Sequence, residues 1–170
     1  MHKNVEIKAR IKDKKTIRNF LRAQGADFKG VDRQIDTYFN SPSGRLKLRE
    51  GTIENHLIHY ERTNQQGPKR SDVTLVSFND KTIKELLTKM LGVQTVVDKT
   101  REIYFINNVK FHIDDVKGLG QFMEIEAIDK EMTMTQEQLH QQCQSYIEQL
   151  WIHDTDLVAV SYSDLAQSFS

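Results

Sequence analysis

Five stretches of this chain alternate apolar and polar side chains with a period of two, the period of a β-strand and not of a helix. In 4–11, Val5, Ile7, Ala9 and Ile11 share one face, and Asn4, Glu6, Lys8 and Arg10 share the other. In 35–39, Ile35, Thr37 and Phe39 alternate with Asp36 and Tyr38. In 45–49, Leu46 and Leu48 alternate with Arg45, Lys47 and Arg49. The last two stretches flank Gly118-Leu119-Gly120. Phe111 and Ile113 oppose His112 and Asp114, and Met123, Ile125 and Ala127 oppose Glu124 and Glu126. This pair reads as a β-hairpin with three carboxylates on a shared face. Strands that are half apolar must pair into a sheet and cover their apolar side.

The remaining segments supply the cover and the other strands. Asp13 offers a helix N-cap, Ile17, Phe20 and Leu21 follow at helical spacing, and Gly25 offers a stop. Residues 26–40 are extended, and Ser41 to Gly44 is a turn. Residues 55–63 read as a strand with Tyr60 and Arg62 on one side, 64–69 as a loop around Gly67-Pro68, and 71–78 as a β-branched strand. Asn79 or Asp80 caps a second helix that uses Ile83, Leu86, Leu87, Met90 and Leu91 and ends at Gly92. Residues 93–107 read as a strand on which Lys99 and Arg101 share the parity of Ile103 and Phe105. Thr135 with Gln138 is a capping-box signature for a third helix to Trp151, with Leu139, Tyr146, Ile147, Leu150 and Trp151 as its stripe. Ser161 to Leu165 begins a short last helix. Eight strands and three or four helices without regular βαβ alternation favour an α+β fold with a mostly antiparallel sheet. Eight strands can close into a barrel, and closure removes exposed edges.

The polar faces sort by sign. The strand at 45–49 offers only cations, Lys99 and Arg101 offer two more, and Arg62 adds another. The hairpin offers only carboxylates, and the first strand sets Glu6 beside Lys8 and Arg10. A solvated face gains little from such sorting, because screened surface pairs contribute under ~1 kcal/mol. A polyanion site needs it: a triphosphate carries about four negative charges, which call for cations along its length and a metal at the reacting end. A polyphosphate site and a charged surface both fit the faces so far. No Gly-rich phosphate loop is present, so side chains would hold the phosphates. His56, His59 and His112 stand beside no nucleophile motif. His112 has the parity of Asp114 and reads either as its neighbour in a site or as a plain strand histidine.

With 24 basic and 24 acidic residues the formal net charge is zero, which argues against a nucleic-acid coat. No apolar run approaches ~20 residues, so no membrane span is expected. The N-terminus goes straight into the charged alternation without an apolar signal core, and a cytoplasmic protein is expected. Cys143 is the one cysteine; it cannot form an intramolecular disulfide and reads as a packed thiol. The 170 residues suit one domain, and no internal repeat or linker divides them.

VEIKAR, DTYF followed by GRLKLRE, KTREIYF, FHIDDVKGLGQFMEIE and SYSDL occur in this order along nearly the whole chain. Together they resemble the CYTH family of class IV adenylyl cyclases, thiamine triphosphatases and inorganic triphosphatases, and the GRLKLRE and GLG segments and the SYSDL tail most resemble the cyclase branch. The resemblance implies one CYTH domain over 1–170: a closed eight-stranded antiparallel tunnel with helices outside and charged side chains inside. It implies Mg²⁺ or Mn²⁺ held by Glu6, Asp114, Glu124 and Glu126. It implies a substrate wall of Lys8, Lys47, Arg49, Arg62, Lys99 and Arg101, joined by Arg10 and Arg45, with Lys8, Arg49, Lys99 and Arg101 acting in catalysis. The family's first strand carries two acids and a lysine at alternate positions; here these are Asn4, Glu6 and Lys8. Asn4 can donate an oxygen to a metal but brings no charge.

The expected partner is a small triphosphate: ATP, thiamine triphosphate or inorganic triphosphate. No nucleic acid or membrane is expected, and a homodimer is compatible with the resemblance. The expected reaction is that of a cyclase, with triphosphate hydrolysis as the alternative. A polyphosphate or nucleotide binder without catalysis is the third reading, motivated by Asn4.

Overall fold

The computed structural model describes residues 2–168. In chain order the elements are β1 (His2–Arg10), α1 (Lys14–Ala23), β2 (Asp27–Phe39), β3 (Arg45–Gly51), β4 (Asn55–Arg62), β5 (Lys69–Ser77), α2 (Thr82–Leu91), β6 (Val93–Ile106), β7 (Val109–Val116), β8 (Gly120–Asp129), α3 (Gln136–Gln149) and α4 (Tyr162–Ser168). The eight strands close into a barrel in the order β1-β5-β4-β3-β2-β6-β7-β8, every neighbour antiparallel. The closed eight-stranded α+β architecture expected from the sequence is therefore the one observed.

The alternation sets which side of the wall each residue takes. Val5, Ile7 and Ala9 of β1, Val109, Phe111 and Ile113 of β7, and Met123, Ile125 and Ala127 of β8 form one buried apolar cluster. It is completed by Ile17 and Leu21 of α1 and by Leu139, Cys143 and Ile147 of α3. The main core thus lies outside the barrel, between its wall and two helices, and the charged face is turned inward.

Local signals place those helices. Asp13 accepts from the Lys15 amide at 2.8 Å, and Gly25 beyond α1 has φ of 70°. Thr135 and Gln138 form the expected reciprocal capping box of α3. Asp80 accepts from the Thr82 amide at 2.9 Å to start α2, and Gly92, at φ of 72°, ends it.

Three expectations shift. Lys69, read as loop, is the first residue of β5, paired with Glu6 of β1. Trp151 does not extend the α3 stripe: the helix stops at Gln149, Trp151 takes φ of 54°, and its side chain is 82% exposed. No residue of α2 is buried, and Leu86 and Met90 remain exposed although they sit on its apolar stripe. Among the described residues no helix is long and apolar enough to cross a membrane.

The C-terminal segment closes one end of the barrel. Leu157 bridges Ala9, and the Val158 amide donates to the Lys8 carbonyl at 2.8 Å. The Lys69 ammonium donates to the carbonyl of Ala159 at 2.7 Å, and that of Lys8 to the carbonyl of Val160 at 3.2 Å. Asp164 takes Arg45 at 2.7 Å. The side chain of Tyr162 then points into the barrel, edge-on to Phe122.

Candidate active site

The barrel encloses a cavity of ≈ 460 Å³ lined by seven lysines and arginines and four glutamates. Their surplus of positive charge suits an anion. Eight of the residues read from the sequence line it: Glu6, Lys8, Lys47, Arg49, Arg62, Arg101, Glu124 and Glu126.

Two buried aspartates behind the lining hold the basic residues in place. Asp36 is wholly buried and accepts from Arg49 Nε at 2.9 Å and Nη2 at 3.0 Å, from Lys47 Nζ at 3.1 Å and from Lys99 Nζ at 2.6 Å. Burial opposes its charge, but these cations hold its carboxyl well below the usual range. Asp114 does the same for Arg101, accepting from Nε at 2.7 Å and Nη2 at 2.6 Å, and from the Tyr162 hydroxyl at 2.7 Å. A buried charge that loses its partner costs several kcal/mol, so these pairs are rigid mounts.

Four expected site residues therefore take other places. Asp114 and Lys99 stand behind the lining, as mounts. Burial pushes the Lys99 ammonium down to about 7, with Asp36 opposing that shift. Arg45 is bound to Asp164 of the C-terminal segment. Arg10 is exposed, donates to the Leu119 carbonyl at 3.2 Å and lies over the Phe122 ring. The shared parity of Arg10 and Lys8 was sound, but the cavity ends before Arg10 because Phe122 and Tyr162 fill the barrel there.

The glutamates face the cations across the cavity. Glu124 meets Arg101 at 2.7 Å, Lys8 at 3.5 Å and His112 Nδ1 at 3.0 Å. Burial opposes its charge, yet Arg101 and His112 hold it well below the usual range. Burial also pushes His112 down to about 4, so its ring is neutral at neutral pH and Nδ1–H donates to the carboxylate. Glu6 pairs with Arg62. Lys8 packs its ammonium 3.8 Å from the centre of the Tyr162 ring, and burial lowers it to about 8.

Asn4 and Glu126 differ from the rest. Asn4 Nδ2 donates to Glu126, and Asn4 Oδ1 is buried without a hydrogen-bond partner among the described residues. Burial, with Glu6, Glu124 and Glu54 nearby, raises the Glu126 carboxyl to about 7. Glu6 and Glu126 are direct partners across β1 and β8. The site thus offers hard oxygen donors, one of them a carboxylate short of positive charge and one an orphaned amide oxygen. That donor chemistry fits Mg²⁺ or Mn²⁺. Among the described residues no three acidic, histidine or cysteine side chains are already grouped as a ligand set. Glu6 and Glu124 are drawn instead to their cationic partners.

Sequence reasoning missed Glu54 and Lys110, which also line the cavity. Lys110 shares the parity of His112 and could have been found by that signal. Glu54 lies in the β3–β4 turn, where no alternation fixes a direction. Tyr38 and Tyr60, on the charged faces of their strands, join the lining as well.

A CYTH domain profile matches residues 2–162. A Methanocaldococcus jannaschii protein carrying the name "Putative adenylate cyclase" is 27% identical over 95% of this chain and 97% of its own. The solved structure of the PH1012 protein from Pyrococcus horikoshii superposes with a TM-score of 0.77 at 26% identity, covering 97% of this chain and 99% of that one. A Hippeastrum protein whose structure is described as a "putative adenylyl cyclase" with "a dominant triphosphatase activity" shares the fold, with a TM-score of 0.65 at 12% identity over 100% and 97% of the two chains. The closed barrel, the inward charge and the family match agree: this chain belongs to the CYTH domain family.

Proposed function

We propose that this protein is a divalent-metal-dependent enzyme acting on a triphosphate-bearing substrate, with cyclisation of ATP to cyclic AMP and pyrophosphate as the first reading. The observation that carries it is the enclosed cavity, where Lys47, Arg49 and Arg101 are fixed by buried aspartates and the basic residues outnumber the acids. Lys8, Lys47, Arg62 and Arg101 bind the phosphate tail. Arg49 closes the row with its guanidinium anchored on Asp36. Glu6, Glu124 and Glu126, with Asn4 Oδ1, are the groups that would hold the cation. When bound, it supplies charge stabilisation at the phosphate oxygens where the bond breaks. The fixed cations offset the charge that develops on the leaving group. In cyclisation the ribose 3′-oxygen bonds to the α-phosphorus and pyrophosphate departs. In hydrolysis a water oxygen bonds to the terminal phosphorus, the bond from that phosphorus to its bridging oxygen breaks, and the diphosphate departs, leaving orthophosphate as the other product. The same wall serves both.

Incubation with ATP, thiamine triphosphate and inorganic triphosphate, each with Mg²⁺ or Mn²⁺, separates the readings by product. Cyclic AMP with pyrophosphate supports the cyclase, and free phosphate the hydrolase. Binding without turnover leaves only the binder, the reading that Asn4 favours. Glu124→Gln should lower the metal-dependent rate at least ~100-fold. An unchanged rate would remove Glu124 from the site.

A further inference from the structure

Four of the inward rows change character in one direction. Walking away from the C-terminal plug, β6 presents Lys99, Arg101, Ile103 and Phe105, and β8 presents Glu124, Glu126 and Ile128. On β4 the row runs Arg62, Tyr60, Ile58, and on β5 it runs Ser71, Val73, Leu75 beside it. The plugged half of the cavity is ionic and the outer half has an apolar wall.

The outer half carries Arg49 and Lys110, with Lys130 exposed at its rim, and Glu54 occupies the first two. Its carboxylate accepts from Arg49 Nη1 at 3.0 Å and pairs with Lys110 Nζ. Burial opposes its charge, but Lys110 and Arg49 hold it far below the usual carboxylate range. The turn is built to deliver this group. Buried Asp32 accepts from the Ile53 amide at 2.9 Å, the Glu54 amide at 3.0 Å and the Thr52 hydroxyl at 3.0 Å. Asn55 closes the turn onto both the amide and the carbonyl of Gly51. A Cβ on Gly51 would meet the Glu54 carbonyl at 2.5 Å and Asp32 Oδ1 at 2.7 Å, so only glycine fits there.

We propose that Glu54 is a specificity-determining residue: by neutralising Arg49 and Lys110 it ends the phosphate-binding track and reserves the outer half for an uncharged, ring-bearing group. The substrate class is then an organic triphosphate and not a longer linear polyphosphate. This rests on the triphosphate reading above and narrows it. An additional phosphate at the outer end meets a carboxylate already seated on the cations, whereas a heterocycle meets Ile58, Leu75 and Phe105.

The test is calorimetric titration, with Mg²⁺ present, of a non-hydrolysable ATP analogue, inorganic triphosphate and linear tetraphosphate. Wild type should bind the analogue more tightly than the tetraphosphate. Glu54→Gln keeps the backbone amide that Asp32 holds. It should raise tetraphosphate affinity at least ~10-fold more than analogue affinity, the worth of a charge-assisted hydrogen bond. Adding Lys110→Met should erase that gain. Leu75→Ser, at the partly exposed rim, should weaken the analogue but not inorganic triphosphate. If Glu54→Gln moves both ligands equally or neither, the assignment of Glu54 is wrong while the triphosphate reading stands. If wild type binds inorganic triphosphate as tightly as the analogue and Leu75→Ser changes nothing, the organic end has no site. If wild type binds none of the three, the triphosphate reading itself fails.

Discussion

The two faces of the β1–β8–β7 wall are built from alternate residues of the same strands, yet they do different work. The outer face, with Ile7, Phe111 and Ile125, is fully buried under α1 and α3 and supplies the main apolar core. The inner face, with Lys8 and His112 buried and Glu124 half-buried, is filled instead by paired charge. Apolar burial stabilises roughly in proportion to area and needs no particular partner. Buried charge at best offsets its own desolvation, and only while each member keeps its partner. One face therefore holds the barrel together, and the other spends stability on a site.

This contrast can be broken or sharpened by substitution. Phe111→Ala, on the outer face and edge-on to Tyr146, should have the largest effect: about 3–5 kcal/mol of stability lost in denaturant unfolding. Phosphate affinity of the remaining folded protein should hold. Lys47→Ala, on the inner face, should do the reverse. Asp36 keeps Arg49 and Lys99, so the melting temperature should move little, while triphosphate affinity falls about tenfold. A large loss of stability from Lys47→Ala would mean that the inner charges are structural after all.

Glu126→Gln should give the smallest effect, and with the opposite sign. The folded protein holds the Glu126 proton up to about 7, well above an unperturbed glutamate. Between those values the folded state binds more protons than the unfolded one, so this group's contribution to stability falls as pH rises. The variant should melt higher than wild type at pH 8, and the gain should vanish near pH 4. A variant that melts lower at pH 8 would show that Glu126 already has a compensating partner.

Much of the wall was legible because a strand assigns its side chains to faces by counting. The shared face of each strand and the helix caps at Asp13 and Thr135 follow from parity and local hydrogen-bond chemistry, while the inward turn of that face, Glu124 included, is what the family resemblance implies. Counting failed where it carries no depth. Arg10 has the right parity but sits beyond the end of the cavity, and Asp114 has it but stands behind Arg101. Trp151 was misread because a helical stripe was continued past the last helical residue.

The sequence by itself determined the alternation, the strands and helices and the separation of apolar from charged faces, since these depend on neighbours a few residues apart. Only the tertiary structure decided which charges meet. Asp36 gathers cations from β3 and β6, Tyr162 reaches Asp114 from the far end of the chain, and Glu54 enters from a turn with no periodicity. Ion pairing acts over a few ångströms of space, and barrel closure, not sequence distance, brings those groups within that range.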